Sequence, residues 1–408
     1  MTPADRDVVI TGLGMVSPAG MGTAENWRRV CAGESTAAAD PELAEPLVGF
    51  SCRVPGFDAA ALLGRSEARR MDRYVQFAMV AAAEAVADAG LDPSSWDGAR
   101  VAVVMGSVIG GISSFEAQYR RLLEDEGSKV SPLMLPLCMP NMLSGRLAME
   151  FGAGGPNLVA MTACASGATA IGLARDLLRL GACDVALAGG SEAMITPACV
   201  AGYGCMGALS RRSDEPRRAS RPFDRERDGF VIAEGAGVLV LERGADARAR
   251  RTRVYAKVAG FGASADGYHL TSPDPDGKGV ERAIREALAQ AGASPAEVDH
   301  VNAHATSTPV GDVVEAAVLR RVVGARAAVT STKGVTGHTL GASGALAAGY
   351  TALAVHHGVI PPTANLDSLD PAVDLDVVAK GVRHQRVELA LCDSFGFGGQ
   401  NAVLAISG

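Results

Sequence analysis

Three segments of this 408-residue sequence hold side chains whose types and spacing suit covalent chemistry. The first reads Met161-Thr162-Ala163-Cys164-Ala165-Ser166-Gly167-Ala168, with an apolar run before it and a helical pattern after it. Cys164 therefore falls at a strand-to-helix turn and faces the positive end of a helix dipole. That setting predicts a lowered thiol pKa and an available thiolate nucleophile. Small neighbours leave room for an acyl group to approach. A buried structural thiol is the competing reading. Cys31, Cys52, Cys138, Cys183, Cys199, Cys205 and Cys392 lack this setting and read as core or surface residues.

The other two segments carry histidines. Asn302-Ala303-His304-Ala305-Thr306-Ser307-Thr308-Pro309 follows an expected strand, and Ser331-Thr332-Lys333-Gly334-Val335-Thr336-Gly337-His338 precedes an expected helix. Loops at strand ends are where α/β proteins keep their chemistry. Either His alone would read as a satisfied polar residue. Two of them in Gly/Thr-rich loops, with a Cys at the matching place earlier in the chain, point to catalysis. His269, His300, His356, His357 and His384 have no such context. Near the C-terminus, the Gly-rich run Cys392-Asp393-Ser394-Phe395-Gly396-Phe397-Gly398-Gly399-Gln400-Asn401 leads into the last expected strand. Its N–H groups can approach a ligand closely. One of them, with the N–H of Cys164, would make an oxyanion hole. A plain tight turn is the alternative. A phosphate loop fits less well, because neither the P-loop pattern nor a dinucleotide-binding glycine fingerprint is present.

Apolar runs alternate with helical patterns along the chain, which predicts an α/β protein. Strands are expected at 7–11, 99–105, 184–188, 237–241, 254–258, 298–302 and 402–406, and helices at 72–89, 166–180, 279–291 and 342–356. The uncharged stretch 151–174, broken by Gly, Pro, Thr and Ser, reads as a buried core helix rather than a membrane span. The order of elements repeats. Glu84 to Pro93 resembles Glu286 to Pro295 at a constant offset of 202, and Asp97 matches Asp299 at the same offset. Val8 to Gly14 is echoed by Val254 to Gly262, and the strand after Gly235-Ala236 by the strand after Gln400-Asn401. A duplicated α/β unit explains these echoes, with halves at 1–250 and 251–408 and insertions near 20–70, 107–150 and 195–230.

Composition narrows the class. Gly accounts for 49 of 408 residues and aromatics for only 4%, so the core is built from small aliphatics with close backbone contacts. The net charge of −7 argues against nucleic acid as a partner. No leader-like segment opens the chain, and no CxxC pair or metal-spaced Cys/His cluster occurs, so the cytoplasm is the expected location and neither a metal nor a membrane partner is expected.

Taken together, these segments resemble the β-ketoacyl-acyl carrier protein synthases of the elongating type II kind, within the thiolase superfamily. The resemblance spans nearly the whole chain. It rests on Val8-Val9-Ile10-Thr11-Gly12-Leu13-Gly14, Gly106-Ser107-Val108-Ile109-Gly110-Gly111, the T-A-C-A-S-G box at Cys164, Arg221-Pro222-Phe223-Asp224-Arg225-Glu226-Arg227-Asp228-Gly229-Phe230, and the N-A-H-A-T-S-T-P, S-T-K-G-V-T-G-H and S-F-G-F-G-G boxes. It implies a thiolase-like duplicated five-layer αβαβα fold. It also implies the decarboxylative condensation of acyl-carrier protein with malonyl-carrier protein, in fatty acid or type II polyketide or polyene elongation.

By position, the resemblance makes Cys164 the acyl-accepting nucleophile and His304 and His338 the pair that assists decarboxylation. Lys333 would orient the site, and Glu315 would support its loops. Phe397 would gate the acyl pocket, and its N–H would join that of Cys164 in the oxyanion hole. Thr306 and Thr308 would contact pantetheine, while Ile109 and Tyr203 would line the acyl pocket with Phe397. Arg65, Arg69 and Arg70 would dock the carrier protein. Arg73 belongs to the same run, and Arg211, Arg212, Arg217, Arg218 and Arg221 form a second one; a solvated face is the alternative for each. No cofactor is implied. The partners implied are acyl carrier protein and a second ketosynthase-like chain, in a homodimer or a heterodimer.

Some positions depart from the family pattern: Ala305 for Gly, Asp393 for Asn, Gln400 for Thr, Tyr203 for Phe, and Gly207 for a basic residue. They suit a specialised pathway. Two other readings stay open. A non-catalytic, chain-length-setting partner subunit would lack the nucleophile, which Cys164 argues against. A degradative thiolase would use a second Cys near the C-terminus, where Cys392 lies.

Overall fold

In the computed structural model, which describes residues 7–43, 48–124 and 129–408, strand β1 (Val8–Ser17) is buried along its whole length. Helix α1 (Arg73–Asp88) lies across it, its first turn capped by Asp72, whose carboxylate accepts the Tyr74 N–H at 3.3 Å. A Cβ at Gly12 or Gly14 would overlap the carbonyl oxygens of Ala85 and Ala81, so only glycine lets strand and helix meet this closely. The same device recurs between β6 (Ala256–Ala265) and α5 (Lys278–Ala291). There Gly260 and Gly262 face the carbonyls of Ala287 and Ala283. Ala283 and Ala287 stand 202 positions after Ala81 and Ala85, the offset seen in the sequence.

The remaining strands are β2 (Val101–Gly106), β3 (Asn157–Ala160), β4 (Val185–Glu192), β5 (Gly235–Arg243), β7 (His300–Asn302), β8 (Ala328–Thr330), β9 (Leu389–Gly396) and β10 (Gln400–Ser407). Outward from the middle, one half of the sheet runs β1-β5-β4-β2-β3 and the other β6-β10-β9-β7-β8. Each strand of the second half is numbered five above its counterpart. The directions match as well: two antiparallel pairings are followed by two parallel ones in each half. The halves join through a short antiparallel contact of Val9 and Ile10 with Lys257 and Ala256. A two-residue strand, Asp376–Val377, extends the far edge beyond β8.

Further helices are α2 (Ile112–Glu124), α3 (Met142–Phe151), α4 (Ser166–Arg179), α6 (Gly311–Val322) and α7 (Ser343–His357). α4 and α7 pack against each other between the two sheet halves. A Cβ on Gly167 would crowd the Ala345 nitrogen, and one on Gly344 the Ala168 nitrogen. α1 and α3 cover one outer face, and α5 and α6 the other, giving five layers in the expected α/β, duplicated αβαβα arrangement. Between β2 and β3 the first half carries α2 and α3, whereas between β7 and β8 the second half has only α6.

Every expected strand is present, most of them longer than expected. Two expectations need correction. Residues 151–174 are not one helix. α3 ends at Phe151, where Gly152 takes a left-handed φ of 59° and caps it, Gly154, Gly155 and Pro156 keep the helix from resuming, β3 follows, and α4 starts at Ser166. The Gly-rich C-terminal segment is not a loop throughout: up to Gly396 it is β9, paired with β10 residue for residue. The opening residues 1–6, read above for a leader, lie outside the described residues. Among the described residues no helix is long and apolar enough to cross a membrane.

Candidate active site

Cys164 sits in a single 3-10 turn, Ala163–Ala165, that runs directly into α4. The Ser166 hydroxyl fixes this entry, accepting the Thr162 N–H at 3.0 Å and donating to the Ala163 carbonyl at 2.6 Å. Ala163 takes a left-handed φ of 50°, a backbone conformation uncommon outside glycine and found at sites where the chain must turn sharply. The end of β9 passes beside this turn. A Cβ on Gly396 would overlap the Thr162 carbonyl, so glycine there lets Phe397 reach the thiol. The N–H groups of Cys164 and Phe397 both act on the thiol sulfur. Two backbone donors thus converge on the sulfur from separate segments.

The thiol pKa runs opposite to expectation. Burial pushes it up to about 12, with the Glu192 carboxyl adding to the rise, while Lys333 and the two N–H groups oppose it. A helix dipole is a local effect, whereas desolvation depends on everything packed around the sulfur. The resting group is a thiol.

His304 and His338 face each other with ring centroids 5.4 Å apart and planes at 85°. Burial, reinforced by the Lys333 charge, holds both far below the ordinary histidine pKa, so both are neutral. Phe230 packs edge-on to His338 at 5.4 Å, and Phe395 lies 5.6 Å from His304. Lys333 is buried, its ammonium 3.4 Å from the Ala303 carbonyl; burial lowers its pKa. Glu315, on α6, accepts the N–H groups of His304 and Ala305, each at 2.7 Å, and thereby fixes the backbone that carries His304. Thr306 and Thr308 stand with their hydroxyls 3.2 Å apart.

A cavity of about 370 Å³ joins these groups. Cys164, Tyr203, His304, His338 and Phe397 line it, together with Thr306, Thr308 and Glu315. Tyr203 contacts Phe230 edge-on at 5.3 Å and Phe397 at 6.3 Å. Ile109 does not line this cavity in the single chain and is 39% exposed. Cys392 is also absent from the lining; its thiol points at the Gly344 carbonyl.

The arginines separate by environment. Arg65 and Arg69 border a shallow surface hollow with Phe57 and Asp58, while Arg70 sits on the exposed surface, 3.3 Å from Glu67. Arg73 differs from them: it makes a bidentate pair with buried Glu234 at 2.9 and 2.7 Å and stacks on Phe57 and Phe77. In the second arginine run only Arg221 is buried, while Arg211, Arg217 and Arg218 stay exposed. Arg221 is buried against Asp224 and Asp367, both at 3.0 Å, and Arg218 also reaches Asp367.

Two buried acids went unremarked in the sequence. Glu192, at the end of β4, accepts the Val108 N–H at 2.5 Å beneath the loop that carries Ile109. Asp312 accepts the N–H groups of Phe223 and Thr308 and faces Arg227. A lone acid closing an otherwise uncharged strand run, Ala186 to Ser191, was the available signal for Glu192.

Residues 5–247 match the family model for the N-terminal domain of beta-ketoacyl synthase, and residues 255–367 that for its C-terminal domain. The chain is 41% identical over 408 residues to 3-oxoacyl-(acyl-carrier-protein) synthase 2 of Vibrio cholerae serotype O1, covering 98% of each. It superposes on the ishigamide ketosynthase/chain length factor with a TM-score of 0.92 at 34% identity, covering 99% of each chain. A type II PKS ketosynthase solved in complex with its acyl-carrier protein gives a TM-score of 0.89 at 32% identity, again with 99% coverage of each chain.

Proposed function

The chain belongs to the beta-ketoacyl synthase family, and on that premise we propose that it condenses acyl-carrier protein with malonyl-carrier protein to give β-ketoacyl-carrier protein and CO2. The observation that carries this reading is the convergence of one thiol, two neutral imidazoles and two backbone N–H groups on one cavity.

Loading is a thioester exchange. The Cys164 sulfur attacks the acyl carbonyl, the N–H groups of Cys164 and Phe397 hold the oxyanion, and the thiol proton ends on the departing pantetheine thiol. One thioester replaces another, so no external energy is needed. The high resting pKa of Cys164 keeps the sulfur protonated until an acyl thioester reaches it. Malonyl-carrier protein then enters along Thr306 and Thr308. Neutral His304 and His338 donate hydrogen bonds to its thioester oxygen as CO2 departs, and the carbanion attacks the acyl-Cys carbonyl. Cys164 leaves as thiolate and takes up one proton. Donors of this kind typically contribute ~3–4 kcal/mol each. Lys333 keeps the histidines neutral and Glu315 holds the His304 loop. Tyr203 and Phe397 shape the acyl pocket.

We assign the carrier surface to Arg65, Arg69 and Arg70, a local basic patch on a chain of net charge −7. A second ketosynthase-like chain would cover the face around β3, an edge strand flanked by exposed Phe115, Tyr119, Leu123 and Met149. Ile109, itself exposed, lies just before α2, which carries Phe115, Tyr119 and Leu123, so the partner would complete the acyl pocket there. The likeness to the ishigamide ketosynthase/chain length factor favours a second reading, in which the partner is a chain-length-factor-like subunit. We place the protein in the cytoplasm, in keeping with the absence of a spanning helix among the described residues. Incubating the purified protein with acyl- and malonyl-carrier proteins tests the reaction: β-ketoacyl-carrier protein and CO2 should appear in equal amounts, and the absence of both contradicts it.

A further inference from the structure

Alternation along β9 turns Cys392 and Ser394 toward Gly344 on α7, and Leu391, Asp393 and Phe395 toward the opposite face. Asp393 is completely buried there, and neither of its carboxyl oxygens has a hydrogen-bond partner among the described residues. No N–H or O–H donor among the described residues serves it; the neighbour that acts on it is the Glu315 carboxyl, by charge and as the hydrogen-bonding partner it gains once one of the two acids carries a proton. Both Glu315 oxygens already accept backbone N–H groups, from His304 and Ala305, and each keeps a second lone pair. The charged and titratable groups around Asp393 can be named. α6 presents Glu315, with Asp312 one turn before it already facing Arg227. The helix Lys333–Thr336 presents Lys333, and β9 itself contributes Cys392. β10 places only Val403 opposite. One ammonium therefore faces two adjacent buried carboxyls. Two bare carboxylates in contact inside a protein repel strongly, and sharing one proton removes the conflict.

From this cluster we propose that Asp393 is a positioning residue: a neutral carboxylic acid that keeps its proton, donates a hydrogen bond through it to Glu315 and so fixes the Glu315 grip on the His304 backbone. The inference rests on the ketosynthase reading for its kinetic consequence, but not for the acid pair itself. The direction of the Asp393 titration agrees. Burial first, then the Glu315 charge, holds its carboxyl far above the ordinary aspartate range, against the pull of Lys333. When alkali removes the shared proton, the carboxyls separate and the His304 segment loses its anchor. The condensing rate therefore falls at high pH through a group that touches no substrate.

Asp393→Asn supplies the test. Its amide can donate to Glu315 as the acid does, but it does not ionise. The variant should keep condensing activity at pH 7 within about twofold and should hold its rate at pH 9, where the wild type declines. Infrared difference spectra of wild type minus Asp393→Asn at pH 7 should show a protonated-carboxyl C=O band that shifts in D2O and vanishes at high pH. This band needs no turnover. If it is seen in a protein that does not condense, the acid pair stands and only the proposed reaction falls. If the band is absent and the two pH profiles superimpose, Asp393 is not a proton donor and the inference is overturned.

Discussion

The rings of His304 and His338 meet edge to face, 5.4 Å between centroids, although 34 residues separate them in the chain. Glu315 holds the backbone of the first, and the N–H of the second donates to the Val231 carbonyl at 2.8 Å. Lys333 lies close enough to depress both. In the proposed reaction their joint task is to donate hydrogen bonds to a developing enolate.

Replacing either histidine with alanine should slow malonyl-carrier decarboxylation by about 10²–10³, the usual effect of losing one such donor. Acyl transfer to Cys164 should continue, because its oxyanion donors are backbone groups. Separate assays of CO2 release and acyl loading distinguish the two steps. Equal loss of both in a folded variant would contradict this division of labour.

Arg73 and Arg69 should behave differently despite their proximity in sequence. Arg73→Ala leaves Glu234, 1% exposed, without its bidentate partner and should cost about 3–5 kcal/mol of stability. Arg69→Glu should leave the melting temperature within about a degree, since exposed changes are usually small. It should weaken carrier-protein binding, most at low salt. Calorimetry and titration with carrier protein check both.

Gly14→Ala and Gly262→Ala should destabilise the protein to a similar degree, about 1–3 kcal/mol or more, because each methyl meets a helix carbonyl in an equivalent half. Chemical denaturation reads the effect. A large difference between the two would argue against equivalent packing.

Glu192 predicts a pH dependence of stability. Burial raises its carboxyl from the ordinary 4.5 to about 8. The folded chain keeps that proton over a range where the unfolded chain has lost it, so stability is highest below pH 4.5 and declines as pH rises through 8. Glu192→Gln mimics the protonated form and removes this decline. The variant should melt higher than the wild type at pH 8.5 and no higher at pH 5.

Much of the site was legible because its chemistry comes in short local boxes. Cys164, His304, Lys333, His338 and Phe397 each lie in a segment whose composition is unusual by itself, and the structure gathers four of them around one cavity, with Lys333 buried close enough for its charge to act on Cys164. The duplication was legible at α1 and α5, where small residues repeat because a helix must sit on a glycine-bearing strand. What escaped depends on distant partners. Arg73 looked like a surface charge because Glu234 lies 161 residues away, and Arg221 because Asp367 lies 146 residues away. The Cys164 pKa was misjudged for the same reason, since burial is set by the whole fold. β9 was hidden because its glycine end resembles a turn, while the strand character is supplied by β10.

In the proposed reaction Cys164 carries the acyl chain. Intact-mass spectrometry of the protein after incubation with acyl-carrier protein, followed by peptide mapping, tests it most directly. The mass should rise by one acyl group, located on Cys164 and absent in Cys164→Ala. No mass gain with any acyl-carrier protein, or an acyl group mapped to Cys392, would contradict it.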